Sequence, residues 1–448
     1  MHTKRIGTMR ALVVLLTIGG LAPAVPGAEV PFSAGAGEVD LTPDAQMINA
    51  RVKKPFAEIH DPIGVRALVL GDGASRLALV VWELIDTPEV LVARVRAEVE
   101  KTTGIPKSQV LINATHTHSA PLTMPYSQAA TGVENDPIHR AWAEALPQRC
   151  AEAVRLADAA RRPATLQIGR SYAGEWVFNR RPIRPDGTVQ SLLQPPDPHS
   201  LANGMRFGKT EPTLTVLQFR DAGDKAIATL FHLPCHSVAV YNRPPPSPYS
   251  NGISADWSAP VRRKLKETFG APAIFVQGCA GDIVPARRGF EAVAEMGKGV
   301  SARALSAIKN SVRLPTGLIR HTSAVVGLQL TALAREESGG DAAMVPAEIH
   351  MIAIGPLAIV MMPGEPLSQL GFSIQERSPY EHTLVLGYSN GRGAGYVGMP
   401  GDKAKGGYEM TRVGRATDEA GGLMIETAVR LLQEKGMPSL PGVDNRRS

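Results

Sequence analysis

The sequence predicts an α/β protein, a layered mixed sheet with flanking helices, on three observations. Apolar runs of strand length recur along the chain. Stretches with helical spacing separate them. Several runs end in polar residues on glycine-bearing turns, as strands do in layered α/β architectures.

Taken in order, Gly35–Thr42 reads as a glycine-bearing entry and a short strand, and Arg66–Leu70 with Leu77–Val81 as paired strands. Pro88–Lys101 has helical periodicity, Val110–Ala114 is a buried-type strand, and Pro137–Ala160 is Ala-rich and helical. Thr213–Phe219 and Ala226–Phe231 suggest a hairpin. A helix over Ser258–Phe269 leads into the strand Ala273–Val276. Ile349–Met362 gives two more strands, and Thr417–Lys435 an amphipathic helix. Pro182–Pro212 and the proline cluster Tyr241–Asn251 are long and irregular, as functional loops often are. No internal repeat and no interdomain linker is visible, so residues 29–435 read as one domain and 436–448 as a tail.

Composition narrows the function. The 448 residues are 44% hydrophobic and 20% charged, an ordinary globular balance. Aromatic residues are only 5%, which argues against an aromatic carbohydrate or nucleic-acid platform. Residues 1–28 read as a secretory signal: Lys4, Arg5 and Arg10 precede the apolar run Ala11–Val25, then Gly27 and Ala28. An uncleaved anchor is the alternative, and the short run argues against it. A secreted or periplasmic protein with no transmembrane anchor is the expectation. Losing those three basic residues lowers the net charge from +6 to +3, too little to imply a nucleic-acid partner. Cys150, Cys235 and Cys279 fit no zinc cluster; one disulfide with a free thiol and three buried thiols are both open.

The sharpest local signal is Asn113-Ala114-Thr115-His116-Thr117-His118-Ser119-Ala120-Pro121, directly after an apolar strand. Strand alternation places His116 and His118 on one side, roughly 6–7 Å apart. Such a pair suits a metal ligand and a neighbouring acid/base, though two surface or hydrogen-bonded histidines fit as well. In Phe231-His232-Leu233-Pro234-Cys235-His236-Ser237, His232 reads as a core histidine and His236 as the better ligand. Gly281-Asp282 and Pro363-Gly364-Glu365 each put a carboxylate on a turn just past a strand. Each alone is an ordinary turn or helix cap. Four strand ends delivering His, Asp or Glu point to one site.

This set resembles the neutral/alkaline ceramidase family, from about Gly35 to Glu409. Beyond the segments above, the resemblance rests on Ala34-Gly35-Ala36-Gly37, Asp40-Leu41-Thr42-Pro43, Phe178-Asn179-Arg180-Arg181 and Ile253-Ser254-Ala255-Asp256. It continues through Ser389-Asn390 to Gly395-Tyr396 and Gly407-Tyr408-Glu409. The resemblance implies a ceramidase-like catalytic domain that hydrolyses an amide of a small-molecule or lipid-like N-acyl substrate by metal-activated water. It implies Zn2+ held by His116, His236, Glu365 and Tyr396, with His118 as the catalytic histidine. Arg180 and Tyr408 would hold the substrate carbonyl and its oxyanion, and Asp282 would contribute to substrate binding. Without the resemblance, Arg180 and Arg181 read as a surface pair. Two departures bear on the substrate. Val284 stands where ceramidases carry a serine with a catalytic role, and the segment after the last helix is too short for their additional C-terminal β-domain. An ester or another acyl bond, or a non-catalytic envelope binding protein, are the alternative readings.

Overall fold

The computed structural model describes residues 32–123, 132–133, 136–192, 201, 204–240, 251–338, 340 and 343–434. The expected signal segment, the tail 436–448 and most of Tyr241–Asn251 lie outside the described residues.

Three sheets form the frame. The first carries β1 (Ser33–Asp40), β2 (Gly64–Gly71), β3 (Arg76–Trp82) and β4 (Val110–Ala114), in that spatial order. The first three strands pair antiparallel, and β4 joins parallel to β3 after the crossover helix α1 (Glu89–Thr103). Helix α2 (Pro137–Ala159) then packs on β1 and β2. The second sheet repeats this with β5 (Thr165–Tyr172), β6 (Thr213–Arg220), β7 (Ala226–His232), crossover helix α3 (Ser258–Phe269), parallel β8 (Ala273–Val276) and covering helix α4 (Phe290–Lys309). The third does so again with β9 (Ile319–Gln329), β10 (Met344–Ile354), β11 (Leu357–Met361), α5 (Ser368–Glu376), β12 (His382–Leu386) and α6 (Ala420–Gln433).

The chain is thus a threefold repetition of a β-β-β-α-β-α unit, where the sequence shows no repeat. What recurs is the hydrogen-bonding pattern, not the residues: the closing strands read Val-Leu-Ile-Asn-Ala, Ala-Ile-Phe-Val and His-Thr-Leu-Val-Leu. Close approach of helix to sheet recurs in two units. A Cβ on Gly35 would fall 2.1 Å from the Ala157 carbonyl of α2, and one on Gly169 of β5 2.0 Å from the Ala307 carbonyl of α4.

The inner strands β2, β3, β7 and β11 are buried on both faces, which explains their near-continuous apolar runs, whereas the edge strand β9 exposes Ser323, Val325 and Gly327. Leu68 and Leu79 from the first sheet meet Leu217 and Ile274 from the second and Ile352 and Leu384 from the third in one shared core. Alternate residues face outward onto the helices, as Val65, Val80 and Trp82 do. With three sheets around one core, the ends of their third and fourth strands converge. Asn113 laces that end together: its Nδ2 donates to the Gly387 carbonyl at 2.8 Å, and its Oδ1 accepts from Gln277 N at 2.9 Å.

The first and third units are also joined by Arg96 of α1, whose Nη1 lies 2.8 Å from Glu348 Oε2 of β10. Burial alone would raise the Glu348 carboxyl, but His350 and Arg96 outweigh it and push it down to about 2. A depressed carboxylate stabilises the fold above its ordinary value of 4.5, and that stabilisation is lost as pH falls through about 2. After solvent screening this amounts to about 1 kcal/mol. Glu348→Gln is expected to flatten the acid limb of stability, read as urea midpoints at successive pH values. Parallel acid losses in both proteins would contradict it.

Candidate metal centre

Strand β4 ends at Ala114, and the next residues cross to neighbouring strands: Thr115 N donates to Trp82 O and His116 N to Leu84 O, both at 3.0 Å. His116 has a φ of +63°, so the backbone turns there and the expected strand alternation does not carry the pair. The turn brings the rings closer than alternation would. They meet edge to face with centroids 4.7 Å apart and the two Nε2 atoms 3.1 Å apart. His116 Nδ1 donates to the Ile85 carbonyl at 2.5 Å, which leaves Nε2 with its lone pair toward the site. Behind them, Thr117 Oγ1 donates to Ser254 O at 2.7 Å and His118 N to Ser237 O at 3.2 Å.

His236 reaches the same point from the second unit. Its Nδ1 donates to the Ala280 carbonyl at 2.6 Å, so its Nε2 also offers a lone pair. His232, four residues earlier, lies in the core, where burial pushes it down to about 4. The third unit supplies Glu365 after a turn at Gly364 (φ +76°). Glu365 Oε2 lies 3.1 Å from His116 Nε2 and 3.4 Å from His236 Nε2. Yet it is buried without a properly directed hydrogen-bond partner. Glu365 pairs in parallel with Tyr396, whose Oη lies 3.4 Å from His236 Nε2. The four residues expected as ligands therefore come together, with His118 beside them.

The electrostatics suit a cation. Burial would raise the Glu365 carboxyl, but His116 and His236 hold it well below its usual range. Burial and then Arg180 push His236 down to about 3, and burial with His116 pushes His118 well below its usual value. A buried carboxylate oxygen that lacks a donor, facing two imidazole lone pairs, is a donor set that fits zinc.

Arg180 and Arg181 are buried, which corrects the surface-pair reading. Glu409, fully buried, clamps both: Oε1 lies 2.7 Å from Arg180 Nε and Oε2 2.8 Å from Arg181 Nη1. Ser191 Oγ adds a bond to Glu409 Oε2 at 2.7 Å. Arg180 Nη2 donates to Tyr396 Oη at 3.0 Å and to Gly281 O at 2.9 Å, so its charge faces the site. Burial lowers the Arg180 guanidinium, but Tyr396 and Glu409 more than offset this and raise it. Tyr408 places its ring 6.1 Å from that of Tyr396, at the same wall. Glu409→Gln keeps the shape but leaves two buried guanidiniums without their carboxylate. It is expected to cost about 3 kcal/mol of stability. An unchanged denaturation midpoint would contradict the clamp.

Asp282 is placed differently from the expected substrate contact. Its carboxylate accepts from Asn179 Nδ2 and Ser368 N, both at 2.7 Å, and from Ser368 Oγ at 3.0 Å. It ties loops of the second and third units together beneath Arg180. Val284 is fully buried opposite Phe178 in a short antiparallel pair. All three cysteines are free and buried, which leaves the three-thiol alternative. Tyr388 escaped assignment from the sequence. Its φ is +49°, its ring centroid lies 4.3 Å from that of His116, and its buried Oη lacks a hydrogen-bond partner. Its adjacency to the quoted Ser389-Asn390 segment was the available signal.

No protein-family model matches the sequence, and no curated protein matches it. Solved structures do match. Neutral ceramidase from Pseudomonas aeruginosa is 20% identical with a TM-score of 0.69, the match covering 91% of this chain and 75% of that one. A ceramidase complexed with C2 is 19% identical with a TM-score of 0.69, covering 92% and 77%. The chain has the fold of the neutral ceramidases.

Proposed function

We propose that this protein is an exported zinc-dependent hydrolase of the neutral/alkaline ceramidase family that cleaves an amide bond in a small-molecule or lipid-like N-acyl substrate. The observation that carries the reading is the convergence of His116 Nε2, His236 Nε2 and the partnerless Glu365 Oε2 at one buried point. His116, His236, Glu365 and Tyr396 would hold the metal. When bound, zinc supplies a Lewis acid and acidifies a water molecule at neutral pH.

The remaining work falls to the chain's own side chains. Arg180, clamped by Glu409, presents a fixed positive charge to the developing negative charge on the acyl oxygen. Tyr408 supplies a phenol at the same wall, and Asp282 positions the loops around Arg180. Neutral His118 would take a proton from the attacking water on Nε2 and deliver it to the nitrogen as the C–N bond breaks. The loops Pro182–Pro212 and Tyr241–Asn251 would be the substrate-selecting walls, and Leu192 N in the described part of the first bonds to Arg180 O. Residues 1–28 would direct export and 29–435 form the catalytic domain.

Assays of zinc-loaded protein against N-acyl amides and the matched esters test the reading. Faster turnover of the amide supports it; turnover of the ester alone moves the activity to an esterase, and turnover of neither removes catalysis. Val284 offers no hydroxyl, and Cys279 is the nearest thiol in sequence. Burial, reinforced by Asp282, pushes that thiol up. Cys279→Ala is therefore expected to keep near-full activity, with no acyl adduct in mass spectra of enzyme quenched during turnover. A trapped adduct on Cys279 would contradict this.

A further inference from the structure

Away from the metal centre, α3 and α4 lie side by side and leave a groove of about 670 Å³ between them. Helical spacing builds it. Phe290, Val293, Gly297, Ser301 and Leu305 fall on one stripe of α4, which runs roughly 22 Å at 1.5 Å per residue. Gly297 lets the helices approach, since a Cβ there would sit 2.3 Å from Pro260 Cγ. The small side chains Ala294 and Ala302 keep the floor open along its length.

The banks are basic. Arg263 and Lys264 on α3 and Lys298 on α4 line the groove and are exposed. None of the three makes an ion pair or side-chain hydrogen bond among the described residues. Neighbouring cations are paired: Lys266 with Glu38, Arg287 with Glu295 and Arg303 with Glu175. The acid that lines the groove, Asp61, is buried, and its carboxylate is taken up by Ser254 Oγ and Ala255 N. Three exposed cations without an ion pair among the described residues favour an anion, with Glu267 the nearest acid along α3. A floor of Leu305, Val293 and Phe290, the last packed against the His60 ring, favours an apolar chain. A soluble phosphate satisfies only the first preference.

We propose that this groove is a docking site for an anionic lipid of a membrane surface, with the chain on the apolar floor and the head group on Arg263, Lys264 and Lys298. The site is separate from the metal centre and does not rest on the reading of that centre.

Residues 31–448, one compact unit, are sedimented with phosphatidylcholine vesicles and with vesicles containing roughly one-third phosphatidylglycerol, in metal-loaded and metal-stripped form. Binding to the anionic vesicles alone, weakened by salt, is expected in both forms. Arg263→Gln with Lys298→Gln is expected to weaken partitioning about 25-fold, near five-fold per cation removed. Ala294→Asp, which keeps all three cations but charges the floor, is expected to weaken it as well. Neither change is expected to alter hydrolysis of a soluble short-chain N-acyl substrate. Equal binding to both vesicles, no binding to either, unchanged partitioning of the double variant, or displacement by millimolar inorganic phosphate would each overturn the proposal.

Discussion

His118→Ala is expected to keep its zinc and lose about 100- to 10,000-fold of turnover, the range for removal of a general acid–base group. Its ring approaches His116 Nε2 at 3.1 Å, but His116 and His236 already direct their own Nε2 atoms at Glu365. His118 is also only half-buried, whereas those two are buried, so its ring is the most accessible of the three imidazoles grouped there. Burial and the neighbouring imidazole favour its neutral form, which is the form that accepts a proton. Metal analysis alongside kinetics checks this. Zinc lost with the activity would make His118 a ligand.

His116→Ala and His236→Ala are expected to lose the ion itself. Removing outer partners of metal ligands typically costs 10- to 100-fold in affinity, so losing a ligand should cost more than about 100-fold. Turnover should fall with occupancy. The His236 variant carries a second cost, because the Ala280 and Ile283 carbonyls lose the donor that His236 Nδ1 provides. Zinc titration and a denaturation midpoint separate the two effects. Full zinc retention in both variants would contradict the ligand assignment.

Much of the local structure was legible because short buried strands leave clear apolar runs. Val110–Ala114, Ala273–Val276 and the helix Ser258–Phe269 match their sequence bounds. Helix α4 was not legible: Gly297 and Gly299 break its propensity, and the reason for them, close approach to Pro260 and Trp176, is tertiary. The threefold repetition was hidden for a related cause. Burial needs apolar residues but not particular ones, so units with the same hydrogen bonding need share no sequence pattern.

At the site, the sequence named residues that the fold brings together, though not by the route the sequence suggested. Alternation was the argument for His116 and His118, yet the turn at His116 brings them together. Burial of Arg180 depends on Glu409, which lies 229 residues later and which no local pattern links to it. Asp282 shows the converse: a carboxylate after a strand reads as functional, while its partners Asn179 and Ser368 come from distant segments.

X-ray absorption at the zinc edge, on protein loaded with stoichiometric metal, tests the central claim most directly. Ligation by His116, His236, Glu365 and Tyr396 predicts tightly bound zinc, one ion per chain, with nitrogen and oxygen neighbours at about 2.0–2.2 Å and no sulfur. A sulfur shell near 2.3 Å would move the metal to the buried cysteines. Zinc removed by simple dialysis would leave the cluster a hydrogen-bonded histidine core and contradict the account.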